Sequence, residues 1–307
     1  MDSAFIVLKQ VSVMFILIIL GALCFKMKII TKEANKYFSD FILKIICPVL
    51  IFMAYQAEYN RELLSGLLMA LVLAFVTYLV LIPVAALIVR KKEGRETAIE
   101  RFSAIYSNCA FMGIPLVQGI FGTEGILYIT ASITAFNVFA WTHGVMMMKE
   151  EVSFTGLVNA IKSPSIIAVF VGFICYVTNI RLPEIFDSAF RHVSSVNTPL
   201  AMIVAGATIA QTNILKALKK PRVLYLTFLK LLAFPVLMIF IYMIFKPSTT
   251  VLATIAIATA CPTGATGTLF AVSYNKNAAY SSEIFAITTV LSAVTLPLIV
   301  ILATALA

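Results

Sequence analysis

The sequence predicts an all-α membrane protein: ten transmembrane helices arranged as two inverted five-helix repeats, with helices 4 and 9 broken and crossed. Three observations carry this. First, of 307 residues 61% are hydrophobic and 12% charged, with a mean hydropathy of +1.02; soluble domains run at roughly 45–50% apolar and about 25% charged. Second, landmarks recur at a near-constant spacing. LGALCF (20–25) is matched by VGFICY (171–176) and Pro48 by Pro199, both 151 residues on, and Pro83 by Pro235, 152 residues on. Third, two apolar segments are interrupted at corresponding places, by SNCAFMGIP (107–115) and by CPTGATG (261–267).

A bilayer core takes about 20 apolar residues per helix, which leaves room for about ten spans, short loops and no sizeable soluble domain. The spans are read at 4–25, 37–56, 63–89, 97–120, 125–148, 164–180, 193–211, 223–245, 250–274 and 282–305. The first resembles a signal peptide in part, but its apolar run is long, Asp2 precedes Lys9 and further spans follow, so it is kept as a helix. Sixteen Lys and Arg fall in the odd-numbered connections and four in the even ones. The positive-inside rule then places the odd connections in the cytoplasm and both termini outside, in a multi-pass protein expected in the plasma membrane (a bacterial inner membrane). The net charge of +9 therefore reads as loop orientation and contact with anionic lipid, not nucleic-acid binding. Cys24, Cys47, Cys109, Cys175 and Cys261 lie in apolar segments without paired spacing. They read as small hydrophobes, not disulfides or metal ligands.

Five spans per repeat is an odd number, so the second repeat (164–307) enters the membrane opposite to the first (1–148), across a cytoplasmic connection at 149–163. Inverted repeats with paired interruptions are the sequence pointer to a midplane site in secondary transporters. Where two broken helices cross, half-helix N-termini bring partial positive charge and free amides, which suit a carboxylate. Broken backbone is tolerable there because it faces a cavity instead of lipid. The competing explanation is a pair of proline kinks.

At these residues the chain resembles the auxin efflux carrier family in its short-loop prokaryotic form. SNCAFMGIPL (107–116) looks like that family's fourth-span crossover and ACPTGATGTLFAVSYN (260–275) is similar to its ninth. TPLAMIVAGA (198–207) resembles the seventh-span pattern and VLKQVSVMFILIILG (7–21) the first. The resemblance implies a fold like that of bile-acid symporters and sodium–proton antiporters. Spans 1, 2, 6 and 7 would form a scaffold, often dimeric, and spans 3–5 and 8–10 a mobile transport domain. The activity implied is secondary transport of a small organic anion by an elevator-like movement. The long central loop of the plant carriers is missing, which argues against auxin itself.

Among individual residues, Asn108 is the first candidate for substrate contact, because its amide both donates and accepts; the alternative is that it caps the broken helix. Gly113, Ile114 and Pro115 of the GIPL motif, with Pro262 and Gly264, are further candidates for the substrate site; the prolines are expected more to shape the crossover than to touch substrate, and the glycines to permit close backbone approach. Thr263, Thr266 and Thr268 offer hydroxyls, although such threonines often bond to their own helix. Asn137 and Asn197 are buried amides for which an interhelical hydrogen bond is the ordinary explanation and a cavity position the other. His143 is expected at an interface, not in a proton relay. Lys44 and Lys230 are expected to snorkel from span ends. Asp40, Glu58, Glu124 and Glu283 all lie near span ends, which argues against a carboxylate proton relay. Coupling to sodium in the manner of bile-acid symporters, or uniport, stays open, and a proton remains a second coupling ion. No cofactor is implied, and nothing indicates an enzyme: there is no acid pair, membrane His/Cys cluster or Ser–His arrangement. A channel is the remaining alternative, disfavoured by the absence of a polar stripe along any span.

Overall fold

The computed structural model describes residues 2–56, 60–149, 162 and 164–306. The predicted connection at 149–163 lies almost wholly outside the described residues, as does Glu58. The helices are α1 (Asp2–Lys26), α2 (Lys32–Ala54), α3 (Arg61–Ile88), α4 (Thr97–Ile105), α5 (Cys109–Lys149), α6 (Pro164–Val177), α7 (Glu184–Ser195), α8 (Asn197–Ala210), α9 (Ile214–Leu218), α10 (Pro221–Ile244), α11 (Thr249–Ala260), α12 (Thr266–Ser273) and α13 (Ala278–Leu306). Among the described residues no sheet forms, and Ser107 and Thr263 make an isolated antiparallel bridge. Seven stretches are long and apolar enough to cross a membrane, and α6 and α11 are shorter apolar helices; about seven to nine helices therefore span it. The sixth predicted connection is largely helical, since α7 runs into α8 with only Val196 between them.

Three prolines shape the helices in the same way. Pro48, Pro115 and Pro235 each follow a widened π-turn, at Ile42–Ile46, Cys109–Gly113 and Leu229–Ala233. In each, the next amide reaches back five residues: Cys47 N to Ile42 O, Ile114 N to Cys109 O and Phe234 N to Leu229 O. A proline has no N–H to give, and its ring crowds the carbonyl four residues earlier. Widening the preceding turn relieves that crowding without ending the helix.

The helix α5, at 41 residues, would be about 60 Å long if straight, twice a hydrocarbon core. It is not straight. Gly122 has φ 60 and ψ −142, which breaks the helical path. A Cβ built on Gly125 would lie 2.4 Å from Val117 Cγ1, although residues eight apart in one helix are about 12 Å apart. The chain has doubled back, and 118–124 form its mostly exposed tip. This is the connection expected between the spans read at 97–120 and 125–148.

The tightest helix pair is α1 against α8. A Cβ on Gly206 would stand 1.9 Å from Ile18 O, and one on Gly21 would stand 2.1 Å from Ile203 O. The two backbones touch in antiparallel fashion at two successive turns, and only glycine leaves room for that. Further along, Gln10 Nε2 donates to Pro115 O at 3.0 Å, tying α1 to the start of α5.

Candidate functional site

The two interrupted segments meet and pair. Tyr106 leaves α4 in an extended conformation (φ −90, ψ 115), and Cys261 leaves α11 likewise (φ −54, ψ 146). Pro262 favours the second, because proline disfavours the helical region for the residue before it, and here no widened turn precedes it to carry the helix on. The extended pieces then form two antiparallel backbone bonds: Asn108 N to Pro262 O at 2.7 Å and Gly264 N to Tyr106 O at 2.9 Å. Side chains lock the crossing. Ser107 Oγ donates to Thr259 O (3.0 Å), Thr263 Oγ1 to Ser103 O (2.9 Å), and Thr263 N to Thr288 Oγ1 (3.2 Å). Carbonyls that the broken helices leave without intrahelical partners are thus taken up by the opposite segment.

Beneath the crossing is a cavity of about 10 Å³ between Thr77 and Tyr78 of α3, Ser107 and Cys109 of the first break, Ser132 of α5 and Thr259 of α11. That is room for about one water, too little for an organic substrate in this cavity. Its polar wall continues as a hydroxyl chain, from Thr77 Oγ1 to Tyr242 OH (2.5 Å) and on to Thr259 Oγ1 (2.8 Å). On the other side Tyr106 OH donates to Phe139 O and meets His143 Nδ1, both at 2.9 Å. His143 therefore lies against the crossover segment, though partly exposed.

The expected site residues separate into three groups. Asn108 sits at the crossing, 7% exposed, and its Nδ2 has no hydrogen-bond partner and caps nothing. Asn197, 1% exposed, has neither amide atom partnered, and it begins α8, which packs on the Cys109–Gly113 turn. Each such amide costs about 1–3 kcal/mol, which a polar ligand would recover. Pro262, Thr263 and Gly264 form the crossing itself, and Thr263 is spent entirely on protein partners.

The third group departs from expectation. The first break covers only Tyr106–Asn108, so Gly113, Ile114 and Pro115 are already helical. Pro115 follows directly on the widened turn, which accommodates its ring and its missing N–H within the helix. A Cβ on Gly113 would meet Ile129 Cδ1 at 2.8 Å and Cys261 Sγ at 3.2 Å, so that glycine serves packing. Asn137 donates to Ile133 O of its own helix at 2.8 Å. Thr266 opens α12 instead of lying in the second break, and Thr268 bonds Ser281 Oγ at 3.2 Å.

Lys230 overturns its expected role outright. It does not snorkel: it is 1% exposed, and Nζ donates to Ile105 O (3.4 Å), Ser107 Oγ (2.5 Å) and Thr259 O (3.2 Å). Its position ten residues into an apolar span was the available signal. Lys44, by contrast, is exposed and paired with Asp40. Also missing from the sequence reading was Glu100, 2% exposed, which accepts from Arg222 Nη2 at 2.6 Å and from Tyr280 OH at 3.2 Å and ties α4 to α10 and α13.

A protein-family model described as "Membrane transport protein" matches residues 6–154 and 150–300, nearly the whole chain. The chain belongs to this family, that of the auxin efflux carriers. It is therefore a multi-pass membrane transporter and not an enzyme. Among curated proteins it is similar to the "Uncharacterized transporter YfdV" of Escherichia coli (strain K12), 23% identical over 218 residues, 68% of either chain. The proteins of that name from Escherichia coli O157:H7 and Shigella flexneri match to the same extent. In this auxin efflux carrier family member the motifs quoted for the resemblance, 107–116 and 260–275, each overlap one of the two segments that cross.

Proposed function

We propose that this transporter carries a small organic anion across a bacterial inner membrane by elevator-like alternating access, with the substrate carboxylate held at the crossing. The observation that carries this reading is the Asn108 amide, buried at the crossing with its Nδ2 unpartnered. It lies at the start of the helix that follows the break, where partial positive charge and free amides favour an anion.

The wider architecture goes with it. The reading divides α5 at Gly122 and takes α4 and α11 as broken spans continued by the start of α5 and by α12, for ten spans in two inverted repeats, 1–148 and 164–307. The Lys and Arg distribution then puts both termini outside. The close α1–α8 seam, with backbones in contact at Gly21 and Gly206, suits an immobile scaffold of spans 1, 2, 6 and 7, working as a homodimer beside a transport domain of spans 3–5 and 8–10.

The test is a screen of radiolabelled dicarboxylates, aromatic acids and amino acids in proteoliposomes, followed by Asn108→Ala on whichever is carried. Saturable exchange is expected from a carrier, and Asn108→Ala is expected to abolish it while the protein stays folded. Undiminished flux in that variant removes the site, and a linear, voltage-driven current removes the carrier.

A further inference from the structure

The hydrogen bonds of Lys230 account for every proton on its nitrogen. Ser107 Oγ gives its own hydrogen to Thr259 O, so it can only accept from Lys230. Ile105 O and Thr259 O are carbonyls and can only accept. Three acceptors face the nitrogen, the full complement of an ammonium. Among the described residues no carboxylate pairs with it. An unpaired charge so deep in an apolar span marks function by default, and the question is what it does there.

The identity of the acceptors answers it. Ile105 ends α4, and Thr259 is the penultimate residue of α11. Both half-helices thus aim C-terminal carbonyls, the negative ends of their dipoles, at one point, and Ser107 adds a hydroxyl. Backbone carbonyls at half-helix C-terminal ends are what broken-helix transporters use to coordinate a coupling cation, and an all-oxygen set suits a hard ion. Here the point is already filled. Pro235 and its widened turn Leu229–Ala233 form the segment of α10 that carries the filling group.

We infer that Lys230 is a tethered cation: its ammonium occupies the position between the two half-helix C-termini where a free sodium ion would bind, so the protein takes up no sodium there. Truncating the side chain uncovers a site for a soluble monovalent cation. Ile105 O, Ser107 Oγ and Thr259 O would supply its ligands, and the adjoining cavity along Thr77 and Thr259 has room for a water to complete them. The inference extends the carrier reading to its coupling, but the site itself does not depend on what is carried.

The experiment follows thermal unfolding of the purified full-length protein in detergent, with sodium chloride replaced stepwise by N-methylglucamine chloride at constant ionic strength. The wild type is expected to show no saturable sodium response. Lys230→Ala is expected to unfold several degrees lower in N-methylglucamine and to recover, saturably, with sodium or with n-propylammonium, which restores the deleted atoms. Saturable stabilisation of the wild type by sodium overturns the inference, as does a folded Lys230→Ala that responds to neither cation. If the variant does not fold, the wild-type titration decides alone. Loss of the carrier reading would appear as absent anion flux and leave these cation responses unchanged.

Discussion

Replacing Gly206 by alanine tests the α1–α8 seam with a single methyl group. The added carbon would lie 1.9 Å from Ile18 O, 2.7 Å from Ile18 C and 2.9 Å from Ala22 N. A carbon rests no closer to a carbonyl oxygen than about 3.3 Å, so the helices must part there by about 1.4 Å. A radial gap of 0.5–1 Å already forfeits roughly a quarter to a half of a dispersion contact, and the loss extends along the seam because the obstacle is backbone on both sides. Overpacking of this kind costs about 1–3 kcal/mol, and the upper end is expected since no side chain can swing aside. Gly21→Ala should behave alike, its carbon meeting Ile203 O at 2.1 Å. The double variant should cost less than the two singles together, because one separation relieves both clashes. Unfolding midpoints of the four proteins in one detergent supply the cycle. A Gly206→Ala protein within about 0.5 kcal/mol of wild type, or strict additivity, would show that the helices do not approach as described.

Five further substitutions, at four positions, probe the site and its supports. Thr263→Val keeps the shape but removes the donor to Ser103 O, and a loss of about 1–3 kcal/mol is expected in the same unfolding assay, with Thr263→Ser close to wild type. Glu100→Gln removes the charge from a carboxylate that is 2% exposed and bonded to Arg222 and Tyr280; about 1–3 kcal/mol should be lost, whereas Lys220→Ala, which breaks the more exposed pair with Glu283, should cost about 0–1 kcal/mol. Equal effects would contradict the difference in burial. Tyr242→Phe cuts the link from Thr77 to Thr259 and should lower stability by about 1 kcal/mol, measurable as a fall in the unfolding midpoint with the helical circular dichroism unchanged.

Membrane class and the existence of two breaks follow from local chemistry, and so they could be read directly from the residues. Hydropathy is a property of each stretch by itself, and a proline with two glycines close behind it, as in CPTGATG, weakens a helix locally. The turn at Gly122 is legible for the same reason. The extent of the first break was not, because Pro115 is absorbed by a widened turn and the helix resumes at Cys109, a choice made by the strand-like pairing with Pro262 and Gly264 more than 150 residues away. Asn137 and Asn197 look equivalent as buried amides in sequence, yet one finds a carbonyl a turn back and the other finds nothing. Lys230 is the clearest case. Its composition context suggests a cation reaching for the interface, but the acceptors that hold it come from α4, the first break and α11. The residues alone determined that the chain spans a membrane and breaks twice. Only the tertiary structure decided that the breaks pair and which polar groups are satisfied, because a hydrogen bond between distant segments depends on where both partners are carried by the fold.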